Sequence, residues 1–297
     1  MNMRARNETA AATQVRRLLG VVRIAVGLLF LQHGAEKVWG FANGRVDHNF
    51  GTLHGFAGPL EVAGGVLLVL GMFTRTTAFI LCGEMAVAYF LRWAPRGFWP
   101  IANGGEESVI FCFAFLWLVT AGSGALSVDS ALAGSSGGQG NQLRQTIASW
   151  EGYGRSILRV ILAFTLSLHG FRHLFGVFAV TGGRGGVPLA LDGLPAVFGA
   201  LEIAGGLCLL TGLFTRPAAL ILCVELAAAY VFDAVPRGPW PIRNGGNETL
   251  LYFFVFAYFA AAGGGNWSVD YVLGKRKNPS RSGLWSESVR TELKESS

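Results

Sequence analysis

Charge is what this sequence has least of. Asp, Glu, Lys and Arg make up only 14% of the 297 residues, where a soluble domain carries roughly 25%. The 22 phenylalanines outnumber the 18 acidic residues, and 52% of the chain is hydrophobic. These proportions exclude an ordinary soluble domain and predict an all-α integral membrane protein. Cysteine is also scarce. Cys82, Cys112, Cys208 and Cys223 all lie in apolar runs and no Cys-x-x-Cys occurs, so they read as buried free thiols rather than as a redox pair. No Cys-x-x-Cys-His haem attachment, iron–sulfur spacing or dinucleotide fingerprint is present, which excludes a complete electron-transfer chain within this polypeptide. The net charge of +6 sits in tails and loops, which argues for an orientation signal and against nucleic acid as a partner. The first apolar run has no small-residue cleavage site before its polar end, so it is expected to stay as a spanning helix.

What is abundant is repetition. Residues 23–34, carrying Arg23, His33 and Gly34, return as residues 159–170 with Arg159, His169 and Gly170. Glu61 with Gly64 and Gly65 returns as Glu202 with Gly205 and Gly206; Phe73-Thr-Arg75 returns as Phe214-Thr-Arg216; Glu84 returns as Glu225. Asn103-Gly-Gly returns as Asn244-Gly-Gly, and Ser127-Val-Asp129 as Ser268-Val-Asp270. The offset is 136 residues at the histidines (169 − 33) and 141 from the glutamates onward (202 − 61). A repeat of this length is a unit of structure.

Each half offers four apolar runs, near residues 18–39, 58–73, 76–93 and 108–125, then 156–178, 194–214, 217–235 and 249–264. They predict eight transmembrane helices arranged as two parallel-repeat four-helix bundles, since an even number per half preserves orientation. The corresponding division is a basic N-tail (1–17), a first unit (18–130), a Gly/Ser-rich linker (131–155), a second unit (156–272) and a polar C-terminal tail (273–297). With the N-terminus in the cytoplasm, fourteen Lys and Arg residues fall inside and eight outside. This predicts a bacterial inner-membrane protein with both termini cytoplasmic and the lipid bilayer as its first partner. Trp39, Trp93, Trp99 and Trp240 then lie at the outer boundary, as an aromatic belt.

Ionisable residues inside these runs mark the candidate site, because a carboxylate in hydrocarbon costs a few kcal/mol or more unless paired, protonated or hydrated. Arg23 and Arg159 lie near the inner helix ends and are expected to snorkel to the headgroups. His33 and His169 are too deep for that. Glu61 and Glu202 open the second helix of each half, Glu84 and Glu225 lie near mid-bilayer in the third, and Glu107 and Glu248 open the fourth. One imidazole, up to three carboxylates and the cation of Lys37 or His173 are expected to converge within each half. Asn103, Glu106 and Asn244 belong to Gly-rich hairpins able to approach a ligand closely. The same glutamates would also serve as protonated glue between helices. A carboxylate–imidazole set such as His33 with Glu61 and Glu107 has the composition of a metal site.

Taken in order, the Arg-x-x-x-Gly-x-x-Phe-x-x-His-Gly run at residues 23–34, Glu-x-x-Gly-Gly at 61–65, the Phe-Thr-Arg turn, Asn-Gly-Gly-Glu at 103–106 and Ser-x-Asp at 127–129 resemble the DoxX family of small bacterial membrane proteins. The second half departs from the pattern with Ala163 for Gly, His173 for Lys and Asn247 for the first Glu, which suggests that the first half keeps the fuller site. The resemblance implies a four-helix unit per half and kinship with the DoxD/DoxX-type subunits of thiosulfate:quinone oxidoreductase. It thereby implies a quinone as cofactor and a membrane or soluble protein partner carrying the second redox centre. His33 would take a quinol proton and Glu61 or Glu107 would pass it outward. Two other readings fit the same residues. One is a proton-coupled transporter of a small molecule or ion, with Glu84 and Glu225 as its coupling pair. The other is a non-enzymatic assembly protein.

Overall fold

The computed structural model describes residues 3–44, 46, 49, 52–135, 142–178 and 193–277, all helical or connecting, with no strand among them. In the first repeat the helices are α1 (Met3–Trp39), α2 (Leu53–Leu70), α3 (Thr74–Ala88), α4 (Pro100–Asn103), α5 (Glu106–Ala121) and α6 (Val128–Ser135). A connecting helix α7 (Gln142–Ser149) leads to α8 (Glu151–Phe175), α9 (Leu194–Thr211), α10 (Thr215–Ala229), α11 (Pro241–Asn244), α12 (Asn247–Ala262) and α13 (Val269–Lys277). Helix α1 runs through most of the stretch expected to be a basic tail, because nothing there breaks a run of good helix formers. The linker is helical where α7 lies; residues 136–141 of the expected tether, and 278–297 of the expected polar tail, lie outside the described residues.

Helix boundaries follow from capping. Helix α2 ends where Gly71 takes φ 66°, and α9 ends at Gly212 with φ 70°. Helix α3 begins where the Asp129 carboxylate accepts from the amides of Phe73 and Thr74, both at 2.9 Å. Asp270 repeats this for α10, accepting from Phe214 at 3.0 Å and Thr215 at 2.8 Å. The recurring Ser-x-Asp motif is thus the cap of the helix that opens with Thr-Arg. Both third helices continue past their α-helical part through π-helical turns, Tyr89–Trp93 and Tyr230–Ala234.

Among the described residues, four segments are long and apolar enough to cross a bilayer: Ala10–Trp39, Thr74–Arg96, Glu151–Phe175 and Thr215–Arg237. Gly55–Leu70, Ala196–Thr211 and Asn247–Ala262 are apolar but shorter. Large side chains along the third helices face outward, among them Phe79, Phe90 and Leu91, then Leu220, Val224 and Phe232. Such a surface suits acyl chains rather than water.

Within each repeat the helices pack in chain order, α1 on α2, α2 on α3 and α3 on α5, then α8 on α9, α9 on α10 and α10 on α12. Two further contacts join the repeats reciprocally: α5 packs on α8, and α12 packs on α1. Buried apolar residues of both repeats, including Phe30, Phe111 and Phe115 with Leu166, Phe256 and Phe259, form one cluster. The expectation of two self-contained bundles is revised accordingly, because the faces that close each repeat belong partly to the other.

Arg23 and Arg159 do not snorkel. Both are fully buried (0% exposed). Arg23 donates Nε to Ser123 O (2.9 Å), Nη1 to Leu68 O (2.5 Å) and Val69 O (3.1 Å), and Nη2 to Leu126 O (2.7 Å). Arg159 donates Nε to Gly264 O (2.9 Å), Nη1 to Leu209 O and to Leu210 O (2.9 Å), and Nη2 to Trp267 O (2.7 Å). Each guanidinium therefore satisfies carbonyls that the end of the second helix and the turn after the fourth would leave bare. Replacing Arg23 with Ala strands these carbonyls and is expected to cost about 3–5 kcal/mol, the range for breaking a buried charged contact. Arg23→Lys should recover only a minor part, because an ammonium lacks the planar fork. Thermal unfolding in detergent checks this; an Arg23→Ala melting temperature equal to wild type would contradict it.

Candidate functional site

The close approach of the first two helices of each repeat fixes where the ionisable groups meet. A Cβ added at Gly34 would fall 2.6 Å from Val62 N and 2.9 Å from Gly58 O; at Gly170 it would fall 2.7 Å from Gly199 O. Glycine beside each histidine lets these helices touch backbone to backbone. That contact brings Lys37, one turn beyond His33, onto Glu61, and the two form an ion pair through Nζ and Oε1. Glu61 is 1% exposed, and its Oε2 has no hydrogen-bond partner among the described residues. In the second repeat His173 replaces the lysine. It is 41% exposed and its Nε2 stands 3.9 Å from Glu202 Oε2, too far for a hydrogen bond. Glu84 keeps both carboxylate oxygens buried without a hydrogen-bond partner, and Glu225 keeps its Oε2 so.

The histidines complete their sites with residues of the opposite repeat. His33 Nε2 lies 3.0 Å from Glu107 Oε1 and 3.0 Å from Asn247 Nδ2, and Asn247 Nδ2 also donates to Glu107 Oε1. His169 Nε2 lies 2.9 Å and 3.0 Å from the two oxygens of Glu106. The hydroxyl of Tyr252 donates to Glu106 Oε1 at 2.8 Å and sits 2.5 Å from Thr165 Oγ1. Helices α5 and α12 both open at the seam between the repeats. Each opening therefore sends its second residue, Glu107 or Glu248, to its own histidine, and its first, Glu106 or Asn247, across to the other. The expectation of one cluster within each half is thereby revised.

So is the expectation that the first half keeps the fuller site. The substitution at 247 falls on the His33 site, and the second repeat's His169 receives Glu106 intact. Tyr252 and Thr165, whose repeat equivalents are Phe111 and Leu29, add polar groups that sequence reading did not single out. The repeat comparison itself held the signal: these are the positions where an apolar residue in one copy faces a hydroxyl in the other.

Other candidates have structural duties. Asn103 donates Nδ2 to Gly97 O at 2.8 Å and accepts at Oδ1 from Gly105 N at 2.7 Å. Asn244 repeats this with Gly238 O at 2.9 Å and Gly246 N at 2.8 Å. Both amides therefore shape the hairpins that launch α5 and α12. The hairpins also dock on the opposite repeat: Arg172 donates Nη2 to Ile101 O at 2.7 Å, and Arg243 donates Nη2 to Glu36 Oε1 at 2.7 Å.

The DoxX family model matches the chain twice, over residues 18–93 and 154–233. Over 121 residues the chain is 42% identical to an uncharacterized protein of Haemophilus influenzae, an alignment covering 38% of this chain and 88% of that protein. Over 122 residues it is 31% identical to the inner membrane protein YqjF of Escherichia coli K12, covering 38% of this chain and 89% of that protein. No solved structure matches.

The Lys37–Glu61 pair gives a direct measure of how the site is held. Lys37→Met leaves a buried carboxylate unpaired and is expected to cost about 3–5 kcal/mol. In a Lys37→Met/Glu61→Leu double variant the cost should fall below the sum of the singles by about 1–3 kcal/mol. Denaturation of the four proteins in one detergent reads this coupling, and strict additivity would show that the pair is not formed.

Proposed function

The chain belongs to the DoxX family as a tandem of two units, and we propose that it is an eight-span inner-membrane protein, both termini cytoplasmic, serving as the quinone-interacting subunit of an oxidoreductase. The observation that carries this reading is the His33 site. Asn247 is 5% exposed, and its Oδ1 is buried without a hydrogen-bond partner. It stands beside an imidazole already held by Glu107. An unused acceptor next to a proton-accepting imidazole suits a ring hydroxyl. The surrounding rings suit a planar headgroup, since Phe111 meets His33 edge-on at 5.7 Å and Phe30 lies 6.4 Å away.

Oxidation of a bound quinol releases two protons and two electrons. On this reading the His33 imidazole takes up a proton as general base, and Glu107, 3.0 Å from its Nε2, stabilises the imidazolium. The Glu61 carboxylate, turned toward Lys37, offers the next acceptor on the way to the outer face. The electrons leave to a partner protein, since the chain carries no haem or iron–sulfur motif of its own. A second reading, proton-coupled transport, draws support from the unpartnered Glu84 and Glu225, each five residues before a π-helical turn.

Quinone extracted per purified chain separates the two. The wild type should carry quinone in excess of a His33→Ala variant of equal thermal stability. Equal, low contents would remove the quinone reading and leave flux measurements on Glu84→Gln/Glu225→Gln as the next step.

A further inference from the structure

The two histidine sites are related by the repeat, yet they differ in the charged groups that surround the imidazole. The His33 site holds one carboxylate, Glu107, the neutral amide of Asn247 and, one turn away, the fixed cation of Lys37. At the His169 site Glu106 stands where the amide was, Glu248 takes the place of Glu107, and His173 replaces the lysine. A carboxylate oxygen of Glu106, one of Glu248 and a ring nitrogen of His169 all lie within 4.8 Å of one another. Glu106 is 3% exposed. Arg172, one turn beyond His169 where the first repeat has Glu36, is a permanent cation whose Nη2 is tied to Ile101 O. Two carboxylates and an imidazole thus converge in a poorly solvated seam.

The geometry points to a divalent transition-metal site made of Glu106, His169 and Glu248, built across the two repeats and present once per chain. One nitrogen and two carboxylate donors suit borderline cations such as Mn2+, Fe2+, Co2+ or Zn2+, and leave coordination positions open to water or a ligand. Tyr252 serves as the outer partner: its hydroxyl bond to Glu106 Oε1 at 2.8 Å orients that ligand. Metal entry displaces the proton shared by His169 and Glu106, so neutral imidazole and two carboxylates carry the ion. The His33 site lacks the second carboxylate and faces Lys37, so it stays without metal. This inference concerns a different site from the proposed quinone site and does not depend on it.

The test uses the full chain in detergent, stripped with chelator and titrated with Co2+ and Mn2+ alone, without quinone. The wild type is expected to bind one ion per chain, and Co2+ to develop visible d–d absorption at saturation. His169→Ala and Glu248→Gln should each abolish the tight site. Tyr252→Phe should keep it with affinity lowered about 10- to 100-fold, as for loss of an outer-shell partner. Asn247→Glu supplies the missing carboxylate at the other site and should raise the capacity toward two ions per chain. Should variants fail to fold, the wild-type Co2+ spectrum alone decides. No tight Co2+ or Mn2+ binding by the wild type, or binding that survives His169→Ala and Glu248→Gln, overturns the assignment.

Discussion

Two buried guanidinium groups hold this structure together. Arg23 and Arg159 lie inside an apolar core where bare carbonyls find no water, and each supplies donors to two helix ends at once. Burying such a charge is costly unless all its hydrogens are used. The requirement fixes where the second helix stops and how the turn after the fourth is shaped. From that turn Asp129 and Asp270 then set the first residue of the third helix. The placement of Glu84 and Glu225 along those helices, and hence their depth, follows from this chain of caps.

Much of this was legible in the sequence. Apolar runs located the longer helices to within a few residues, apart from α1, which begins fifteen residues before the expected run, and the repeat identified most ionisable groups that meet. Lys37 was expected near Glu61, and His33 near Glu107, because spacing along helices and direction of travel place them at one depth. The role of the arginines was not legible. A periodicity argument reports the face on which Arg23 lies but not what covers it, and the carbonyls it bonds belong to residues 45 and more positions away. The crossing of Glu106 and Asn247 was hidden for the same reason. Adjacent residues at the start of a helix point in different directions, and only packing of α5 on α8 and of α12 on α1 tells which repeat each faces.

Duplication gives the asymmetry its meaning. The relatives from Haemophilus influenzae and Escherichia coli align over nearly their whole length with 38% of this chain. A chain of one repeat can form a site of this kind only with a second copy, and both sites are then identical. Fusing the copies lets them diverge. Here the His33 site holds an amide and lies one turn from a lysine, while the His169 site holds Tyr252 and Thr165 and collects two carboxylates. Two chemically different sites within one pseudo-symmetric frame are the physical consequence.

The central claim is that the functional groups of one repeat are completed by the other. The coupling between Glu106 and His169, read by equilibrium denaturation of wild type, Glu106→Gln, His169→Gln and the double variant, tests it most directly. The account predicts a coupling energy of roughly 1–3 kcal/mol, as for directly contacting charged groups. Additive effects within a few tenths of a kcal/mol would mean that the two residues do not touch, and that each repeat builds its site alone.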